Sequence, residues 1–231
     1  MQIETHHIAL VAGANGLVGS ALVRALVAEG DYSRVIALTR RPLTFESPRL
    51  ANRILRFAAL ETEMRGLVCT DAYCCLGTTL KEAGSAPAFR QVDYELVLSF
   101  ARGAQAAGAQ SLCVVSAVAA DCAARNFYLR VKGETEVALE ALRFRSLHIM
   151  QPGLLLGSRP QRRVLEAVAR GCWPLLNPLL LGRWQRYRAI DARTVAAAMR
   201  AATLSGRAGT QRYTWAGLQS LGRSGKVPTR M

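Results

Sequence analysis

A glycine-rich turn near the N-terminus constrains the fold more than any other feature of this chain. Gly13, Gly16 and Gly19 follow the apolar run Ile8–Ala12, and an amphipathic helical pattern begins at Leu17. A strand, a glycine turn and a helix in this order are the context of a dinucleotide-binding fingerprint. The first glycine permits a tight turn, the second lets a pyrophosphate approach the backbone, and the third lets the helix pack on the sheet. We therefore expect a nucleotide here, although a glycine turn that only packs is the alternative.

Apolar strand-like runs alternate with helical patterns over the first two thirds of the chain. We predict strands at 8–12, 34–39, 53–57, 71–76, 111–116 and 146–150, and long helices at 17–29, 89–107 and 128–142. This alternation indicates an α/β protein, with a doubly wound, mostly parallel Rossmann sheet and helices on both faces. Such a sheet binds its ligand beyond the C-terminal ends of its strands.

The pattern is looser beyond residue 158. Helices at 162–169 and 192–203 are expected there, with a last strand near 212–215 and a frayed end from 222. At 231 residues, one domain is the default. We therefore expect one Rossmann domain over 1–231, in which residues 154–231 form a small C-terminal cap on the substrate side and a tail.

Composition limits the cellular setting and the partners. No run reaches the roughly 18 to 20 apolar residues of a membrane span, and the N-terminus lacks a signal-peptide layout, so we expect a cytoplasmic protein without stable membrane insertion. Six cysteines include no Cys-x-x-Cys pair, and we predict no metal site. Of the net charge of +14, residues 159–231 carry +12, with 14 basic residues against Glu166 and Asp191. No nucleic-acid-binding motif accompanies this charge, so we expect no nucleic-acid partner.

Two arginines follow the second predicted strand. An acidic residue at this place binds the ribose hydroxyls of NAD, whereas arginine pairs with the 2′-phosphate of NADP. Arg40 and Arg41 therefore favour NADP(H), and a solvated basic loop is the alternative.

A serine, a tyrosine and a lysine form the candidate catalytic group. Tyr128 and Lys132 are four residues apart, so they share one face of the predicted helix. Ser116 ends the fifth predicted strand and is expected to point into the same cleft. A tyrosine with an ordinary pKa of about 10 becomes a better acid–base group beside an ammonium. This arrangement suits proton transfer at a carbonyl or an alcohol.

Four further segments complete a resemblance to a known family. They are Cys-Cys-Leu-Gly-Thr-Thr at 74–79, Phe-Arg-Gln-Val-Asp-Tyr at 89–94, Tyr-Leu-Arg-Val-Lys-Gly-Glu at 128–134 and Gln-Pro-Gly-Leu-Leu-Leu-Gly at 151–157. With the glycine spacing, they resemble the short-chain dehydrogenase/reductase superfamily and, within its atypical branch, the subgroup of Tat-interacting oxidoreductases. The resemblance runs from about residue 8 to residue 200.

The resemblance implies a role for each matching position. Ser116 orients the substrate, Tyr128 is the acid–base group, and Lys132 bonds the nicotinamide ribose. The implied cofactor-binding residues are Gly13, Asn15, Gly16, Leu17, Gly19, Arg40, Arg41, Leu76, Gly77, Thr78, Tyr128, Lys132, Pro152, Gly153 and Leu154. Two positions depart from the superfamily pattern: Asp93 stands where an asparagine is frequent, and Phe57-Ala58 offers no carboxylate near the adenine.

Two functions from different classes follow. The first is an NADP(H)-dependent oxidoreductase that acts on the carbonyl or alcohol of a small, apolar molecule. The second is an NADPH-binding regulatory or scaffold protein with little catalysis, which Asp93 and the basic C-terminal region would suit. The apolar segment at 173–181 is read as a lid or as core, with a membrane-surface contact or a homodimer face as the alternatives.

Overall fold

Seven parallel strands form one sheet in residues 7–157 and 182–223, the part of the chain that the computed structural model describes. The strands of this sheet are β1 (Ile8–Ala12), β2 (Arg34–Thr39), β3 (Leu50–Ile54), β4 (Asp71–Cys74), β5 (Ser111–Val115), β6 (Ser146–Met150) and β9 (Gly209–Tyr213). A short pair, β7 (Leu155–Leu156) and β8 (Ile190–Asp191), lies apart from it. The strand order β3-β2-β1-β4-β5-β6-β9 is that of a Rossmann fold with one added strand, as predicted.

Helices cover both faces of the sheet. They are α1 (Leu17–Glu29), α2 (Leu60–Glu63), α3 (Leu80–Ala83), α4 (Ala86–Arg90), a π-helix (Gln91–Leu96), α5 (Val97–Ala106), α6 (Phe127–Ala141), α7 (Ala192–Leu204) and α8 (Trp215–Arg223). A single-turn 3₁₀ segment occupies Phe57–Ala59, and a longer one occupies Gly182–Tyr187. Two apolar clusters result, one between the sheet and α2, α5 and α6, and one between the sheet and α1, α7 and α8. The central strands are therefore buried on both faces, which explains their continuous apolar sequences.

The bounds of β1, α1, β2 and β6 agree with the sequence prediction residue for residue. The third strand was predicted three residues too late, at 53–57, because β3 is a half-exposed edge strand with a weak apolar pattern. Phe57 instead begins a 3₁₀ turn and packs into the core. The last strand, predicted near 212–215, begins earlier and ends at Tyr213. A helix, α8, that the sequence did not predict occupies 215–223, so residues 222 and 223 are helical where a frayed end was expected.

The helix α7 occupies a different place from the one that the sequence suggested. It was assigned to a cap, but it packs on the sheet beside α1. Arg200 of α7 is buried and binds Asp31, with its Nε atom 2.5 Å from Oδ2, and Glu29 at 3.5 Å. These ion pairs join α7 to the C-terminal end of α1. The predicted helix at 162–169 and the apolar segment at 173–181 lie outside the described residues.

Within residues 7–157 and 182–223, no helix is long and apolar enough to cross a membrane. The same residues contain no cluster of histidine, cysteine and carboxylate side chains with the arrangement of a metal site.

His148 is a buried histidine in the middle of β6. Its Nδ1 atom lies 3.3 Å from the hydroxyl of Tyr213, and its Nε2 atom has no hydrogen-bond partner among the described residues. Burial, together with the positive charge of Arg207, lowers the pKa of the imidazole to about 4. The folded protein therefore holds this side chain neutral at moderately acid pH.

We expect acid to destabilise the wild type more than a His148→Leu variant. The unfolded chain takes up a proton near the ordinary pKa of 6.5, whereas the folded chain does so only near 4. The stability that depends on neutral His148 is thus present above pH 6.5 and is lost as the pH falls toward 4, with about 2 kcal/mol lost by about pH 5. Urea unfolding at about pH 7.5 and about pH 5 measures this difference. Equal losses in the two proteins would contradict it.

Candidate active site and cofactor cleft

The glycine turn between β1 and α1 has the geometry that a close approach of a ligand requires. Gly13 has φ +80°, and a Cβ atom there would lie 2.4 Å from the carbonyl oxygen of Cys75. A Cβ atom on Gly19 would lie 2.2 Å from the carbonyl oxygen of Gly13. Gly16 caps α1 without a side-chain hydrogen bond, so the first N–H groups of the helix are left for another acceptor. The turn therefore fits the phosphate-binding role expected of it.

A polar framework shapes the loop after β2 beside this turn. The Asn15 amide donates to the carbonyl oxygen of Arg41 at 2.9 Å, which ties the glycine turn to the loop. Asn52 donates to Thr39 Oγ1 at 2.7 Å and accepts from the backbone N–H of Leu43 at 2.9 Å. Arg40 and its neighbour Arg41 are both exposed on the loop that these bonds hold. Two cations thus stand beside the glycine turn, where an NAD-type site has a carboxylate.

A cavity of about 330 Å³ opens beyond the C-terminal end of β5. Its lining includes both Ser116 and Tyr128, as the sequence predicted for one cleft. The remaining lining residues are Ala117, Val118, Ala119, Leu129, Pro152, Gly153, Leu155 and Tyr187. This volume is at the lower end of small-molecule sites, and the lining is largely apolar. The cavity therefore suits a small molecule with few polar groups.

Backbone contacts hold the two sides of this cavity together. The N–H of Ser116 donates to the carbonyl oxygen of Met150 at 2.7 Å, and the N–H of Val118 donates to that of Pro152 at 3.0 Å. A Cβ atom on Gly133 would lie 2.2 Å from the backbone of Asp121, so this glycine lets α6 contact the loop after β5. The loop that carries Ser116 and the helix that carries Tyr128 are thus packed against each other.

Lys132 forms a buried ion pair that the sequence did not indicate. Its Nζ atom lies 2.8 Å from Oδ1 of Asp93, and both side chains are almost fully buried. The other oxygen of Asp93 accepts the backbone N–H of Thr78 at 2.8 Å. Burial acts to lower the pKa of the Lys132 ammonium, but the charge of Asp93, followed by that of Tyr128, outweighs it and the pKa is raised. Lys132 therefore remains an ammonium ion next to Tyr128.

A π-helix places Asp93 in this pair. The predicted helix at 89–107 is interrupted over Gln91–Leu96, where the wider turn occurs. The Thr135 hydroxyl of α6 donates to the carbonyl oxygen of Asp93 at 3.0 Å. Short π-helical segments are frequent at functional sites. No local sequence pattern marks this one, because it depends on contacts between helices.

Ser116 is engaged by a second buried carboxylate. Its Oγ atom donates to Oε1 of Glu136 at 2.5 Å, and Glu136 also accepts from Gln151 Nε2 and from Arg212 Nε at 3.1 Å. The sequence analysis quoted Gln151 only as part of a motif and did not single out Glu136 or Arg212. The available signal was the position of Glu136 four residues after Lys132, which puts both on one helix face.

The other predicted cofactor residues are distributed unevenly around the cleft. Pro152 and Gly153 line the cavity, but Leu154 is exposed and Leu155 takes the lining position. The segment Leu76, Gly77 and Thr78 follows β4 at the same edge of the sheet. Within it, Gly77 lies next to the ion pair of Asp93 and Lys132. Leu17 packs against Gly157, where a Cβ atom would lie 2.7 Å from its side chain.

This architecture is that of the NAD(P)-binding Rossmann class of oxidoreductase-like proteins. Residues 9–112 match the NAD dependent epimerase/dehydratase family. The protein HTATIP2 of Rattus norvegicus is 35% identical over 164 residues, which are 69% of this chain and 67% of that protein. The chain belongs to the atypical short-chain dehydrogenase/reductase family, in the group that contains HTATIP2.

A fungal relative and a solved structure extend the comparison. The protein FMP52 of Lodderomyces elongisporus, named as mitochondrial, is 32% identical over 193 residues, or 74% of this chain and 80% of that protein. The dTDP-glucose 4,6-dehydratase DesIV of Streptomyces venezuelae, solved with NAD and TYD bound, superposes with a TM-score of 0.66 at 17% identity. That alignment covers 94% of this chain and 80% of DesIV, and it shows a shared fold.

The comparisons correct the expected location. The cytoplasmic assignment is wrong, because FMP52 relatives from several fungi are named as mitochondrial proteins. The charge and hydropathy of the sequence did not indicate a mitochondrial location, because the N-terminus was compared only with the layout of a secretory signal peptide.

Proposed function

We propose that this protein is an NADP(H)-dependent oxidoreductase that interconverts a carbonyl and an alcohol on a small, largely apolar molecule. The observation that carries the proposal is the cavity, which Ser116 and Tyr128 line together. Lys132 lies one helical turn after Tyr128 and is held as an ammonium ion by Asp93. A cleft, a proton donor and a nearby fixed charge together suit proton transfer to or from a substrate oxygen.

The residues at the edge of the sheet fit a nicotinamide dinucleotide phosphate. The glycine turn and the uncapped N-terminus of α1 offer N–H groups to the pyrophosphate. Arg40 and Arg41 offer guanidinium groups to a 2′-phosphate, since no carboxylate stands at the end of β2 to bind free ribose hydroxyls. The chemistry that such a cofactor would supply in this cleft is hydride transfer to or from the substrate carbon.

The protein side chains handle the proton. The Tyr128 hydroxyl donates its proton to the substrate oxygen during reduction and takes it back during oxidation. The Lys132 ammonium stabilises the negative charge that develops on the phenol oxygen. Asp93 keeps Lys132 charged and fixed, while Ser116 hydrogen-bonds the substrate oxygen in the same cavity.

We expect Tyr128→Phe to abolish turnover while NADPH binding survives. The change removes the proton donor and leaves the ring that packs beside Phe89. Loss of a general acid lowers kcat by roughly 100-fold to 10,000-fold. NADPH oxidation with a panel of aldehydes and ketones measures the loss, and NADPH fluorescence measures binding. The control is Tyr94→Phe, because Tyr94 lies outside the cavity and packs under the guanidinium of Arg90. Unchanged turnover in Tyr128→Phe would remove Tyr128 from the mechanism.

A second candidate function has its own observation. Both Ser116 and Lys132 are already bound by buried carboxylates, Glu136 and Asp93, as they would be in a nucleotide-binding regulatory or scaffold protein. This protein would bind NADPH without oxidising it in the presence of any carbonyl of the panel. Wild-type turnover that Ser116→Ala abolishes would reject the regulatory or scaffold function.

We also propose that the protein is mitochondrial, which the names of its fungal relatives support. Subcellular fractionation of cells that express the full chain tests this part of the proposal. Recovery of the chain with the cytosolic fraction alone would contradict it.

A further inference from the structure

Tyr187 lines the candidate cavity, and the proposed mechanism assigns it no role. The lining comes from two parts of the fold. One part follows β5 and includes the start of α6, and it carries Ser116 and Tyr128. The other part follows β6 and consists of Pro152, Gly153, Leu155 and Tyr187. Among the described residues of this second part, Tyr187 is the one with an aromatic ring.

Main-chain contacts hold residue 187 at the cavity. Gly153 lies directly against it, since a Cβ atom on this glycine would lie 2.9 Å from the carbonyl oxygen of Tyr187. Two residues further on, the carbonyl oxygen of Ala189 accepts the indole N–H of Trp215 in α8 at 3.1 Å. The strand β8 then pairs with β7. The place of Tyr187 therefore depends on its backbone, and a change of its side chain should leave the backbone where it is.

Two neighbours on the same 3₁₀ segment hold the ring of Tyr187. The ring centroids of Trp184 and Tyr187 are 5.8 Å apart, with an angle of 39° between the rings. The guanidinium carbon of Arg186 lies 5.0 Å from the Tyr187 ring centroid. A ring held in this way loses little conformational freedom when a ligand packs against it. An edge-to-face contact needs only the rim of one of two rings, so these neighbours leave such a contact open.

The composition of the lining indicates which molecules gain most from it. Apart from Ser116, Tyr128 and Tyr187, the described lining residues have aliphatic side chains or none. Saturated and aromatic molecules both gain from burial against aliphatic groups. An aromatic molecule gains in addition from contacts with the rings of tyrosines. The volume of about 330 Å³ accommodates a molecule with one or two rings.

We infer that Tyr187 is a specificity-determining residue, which makes the cavity favour an aromatic carbonyl compound or alcohol over a saturated one of the same shape. The inference rests on the proposed oxidoreductase function and deepens it, because it names the chemical class of the substrate. In this arrangement Tyr128 acts on the substrate oxygen, whereas Tyr187 contacts the substrate ring from the part of the lining that follows β6.

The test compares acetophenone with cyclohexyl methyl ketone as ligands of the full chain with saturating NADP⁺, by ligand-observed NMR titration. The two ketones have the same carbon skeleton and differ in whether the ring is aromatic. The oxidised cofactor cannot reduce either ketone, so the titration measures binding alone. We expect the wild type to bind acetophenone about three to ten times more tightly, the effect of an aromatic contact. Equal affinity, tighter binding of the saturated ketone, or no binding of either ketone would overturn the inference.

Three variants identify the Tyr187 ring as the cause. Tyr187→Leu removes the ring and keeps an apolar side chain, so the two ketones should bind about equally. Tyr187→Phe keeps the ring and should keep the preference for acetophenone. Tyr94→Leu makes the same change at a tyrosine outside the cavity and should also keep the preference. A preference that persists in Tyr187→Leu, or that disappears in Tyr187→Phe or Tyr94→Leu, would contradict the role of the Tyr187 ring.

Failure of this inference and failure of the proposed function give different results. If Tyr187→Leu does not fold, Tyr187→Met takes its place with the same expectation, because a flexible thioether side chain fills irregular space without a ring. NADPH oxidation is measured separately with the carbonyl panel. Turnover without an aromatic preference would support the proposed function and overturn this inference. An aromatic preference that depends on Tyr187, without any turnover, would reject the oxidoreductase function and leave the ligand class in place.

Discussion

Asp93→Leu is expected to lower the free energy of unfolding by about 3 to 5 kcal/mol, the range for removing one partner of a buried ion pair. The Lys132 ammonium would remain buried without its counter-charge, and the N–H of Thr78 would lose its acceptor. Urea unfolding of the variant and the wild type measures the change. The large size follows from burial, because water cannot replace the lost carboxylate.

A double variant separates the charge effect from packing. Replacing the whole pair by apolar side chains, Asp93→Leu with Lys132→Met, removes the unpaired charge and should recover most of the lost stability. Asp93→Asn keeps the shape and an acceptor for Thr78, but it turns an amide N–H₂ group toward the Lys132 ammonium, so it reports the loss of the charge together with the loss of that acceptor. A double variant no more stable than Asp93→Leu would show that the ion pair is not the source of the loss.

Gly13→Ala is expected to reduce stability by about 3 kcal/mol and to weaken NADPH binding at least about tenfold. Two effects add at this position. The φ of +80° is unfavourable for alanine, and the new Cβ atom would lie 2.4 Å from the backbone oxygen of Cys75, which cannot rotate away. The turn must move, and its N–H groups then lose the positions that suit a pyrophosphate.

Gly66→Ala is the matched control for Gly13→Ala. Gly66 has nearly the same φ, +79°, but a Cβ atom there has nothing within 4 Å. It therefore carries the backbone strain without the steric overlap, and we expect a loss of about 1 kcal/mol with NADPH binding unchanged. Unfolding and NADPH titration of both variants give the comparison. A Gly13→Ala variant no worse than Gly66→Ala would show that the close approach to Cys75 is unimportant.

Much of the sheet was predictable because its signals are local. Buried parallel strands have continuous apolar sequences, and the glycine turn marks where β1 ends and α1 begins. The edge strand β3 was misplaced because it is half exposed. The helix α7 was assigned to a cap because its sequence shows an apolar face but not the surface on which that face packs.

The site was predicted in part. The common cavity of Ser116 and Tyr128 follows from topology, since the carboxyl ends of parallel strands and the helices after them share one edge. Glu136 and Asp93 were not assigned their partners. The bond from Ser116 to Glu136 joins residues 20 apart, and Asp93 reaches its partner Lys132 from a π-helix that no local pattern marks.

Residue order alone was therefore sufficient for the Rossmann class of fold, the glycine turn and the shared helix face of Tyr128 and Lys132, because the patterns that indicate them involve neighbours within a few positions. Only the folded chain showed that Ser116 donates its proton to Glu136 and that Asp93 holds Lys132. The direction of a hydrogen bond and the partner of a buried charge depend on which distant side chains packing brings together. Pattern reading locates the groups that meet in a cleft, whereas three-dimensional contacts decide which of them give protons and which accept them.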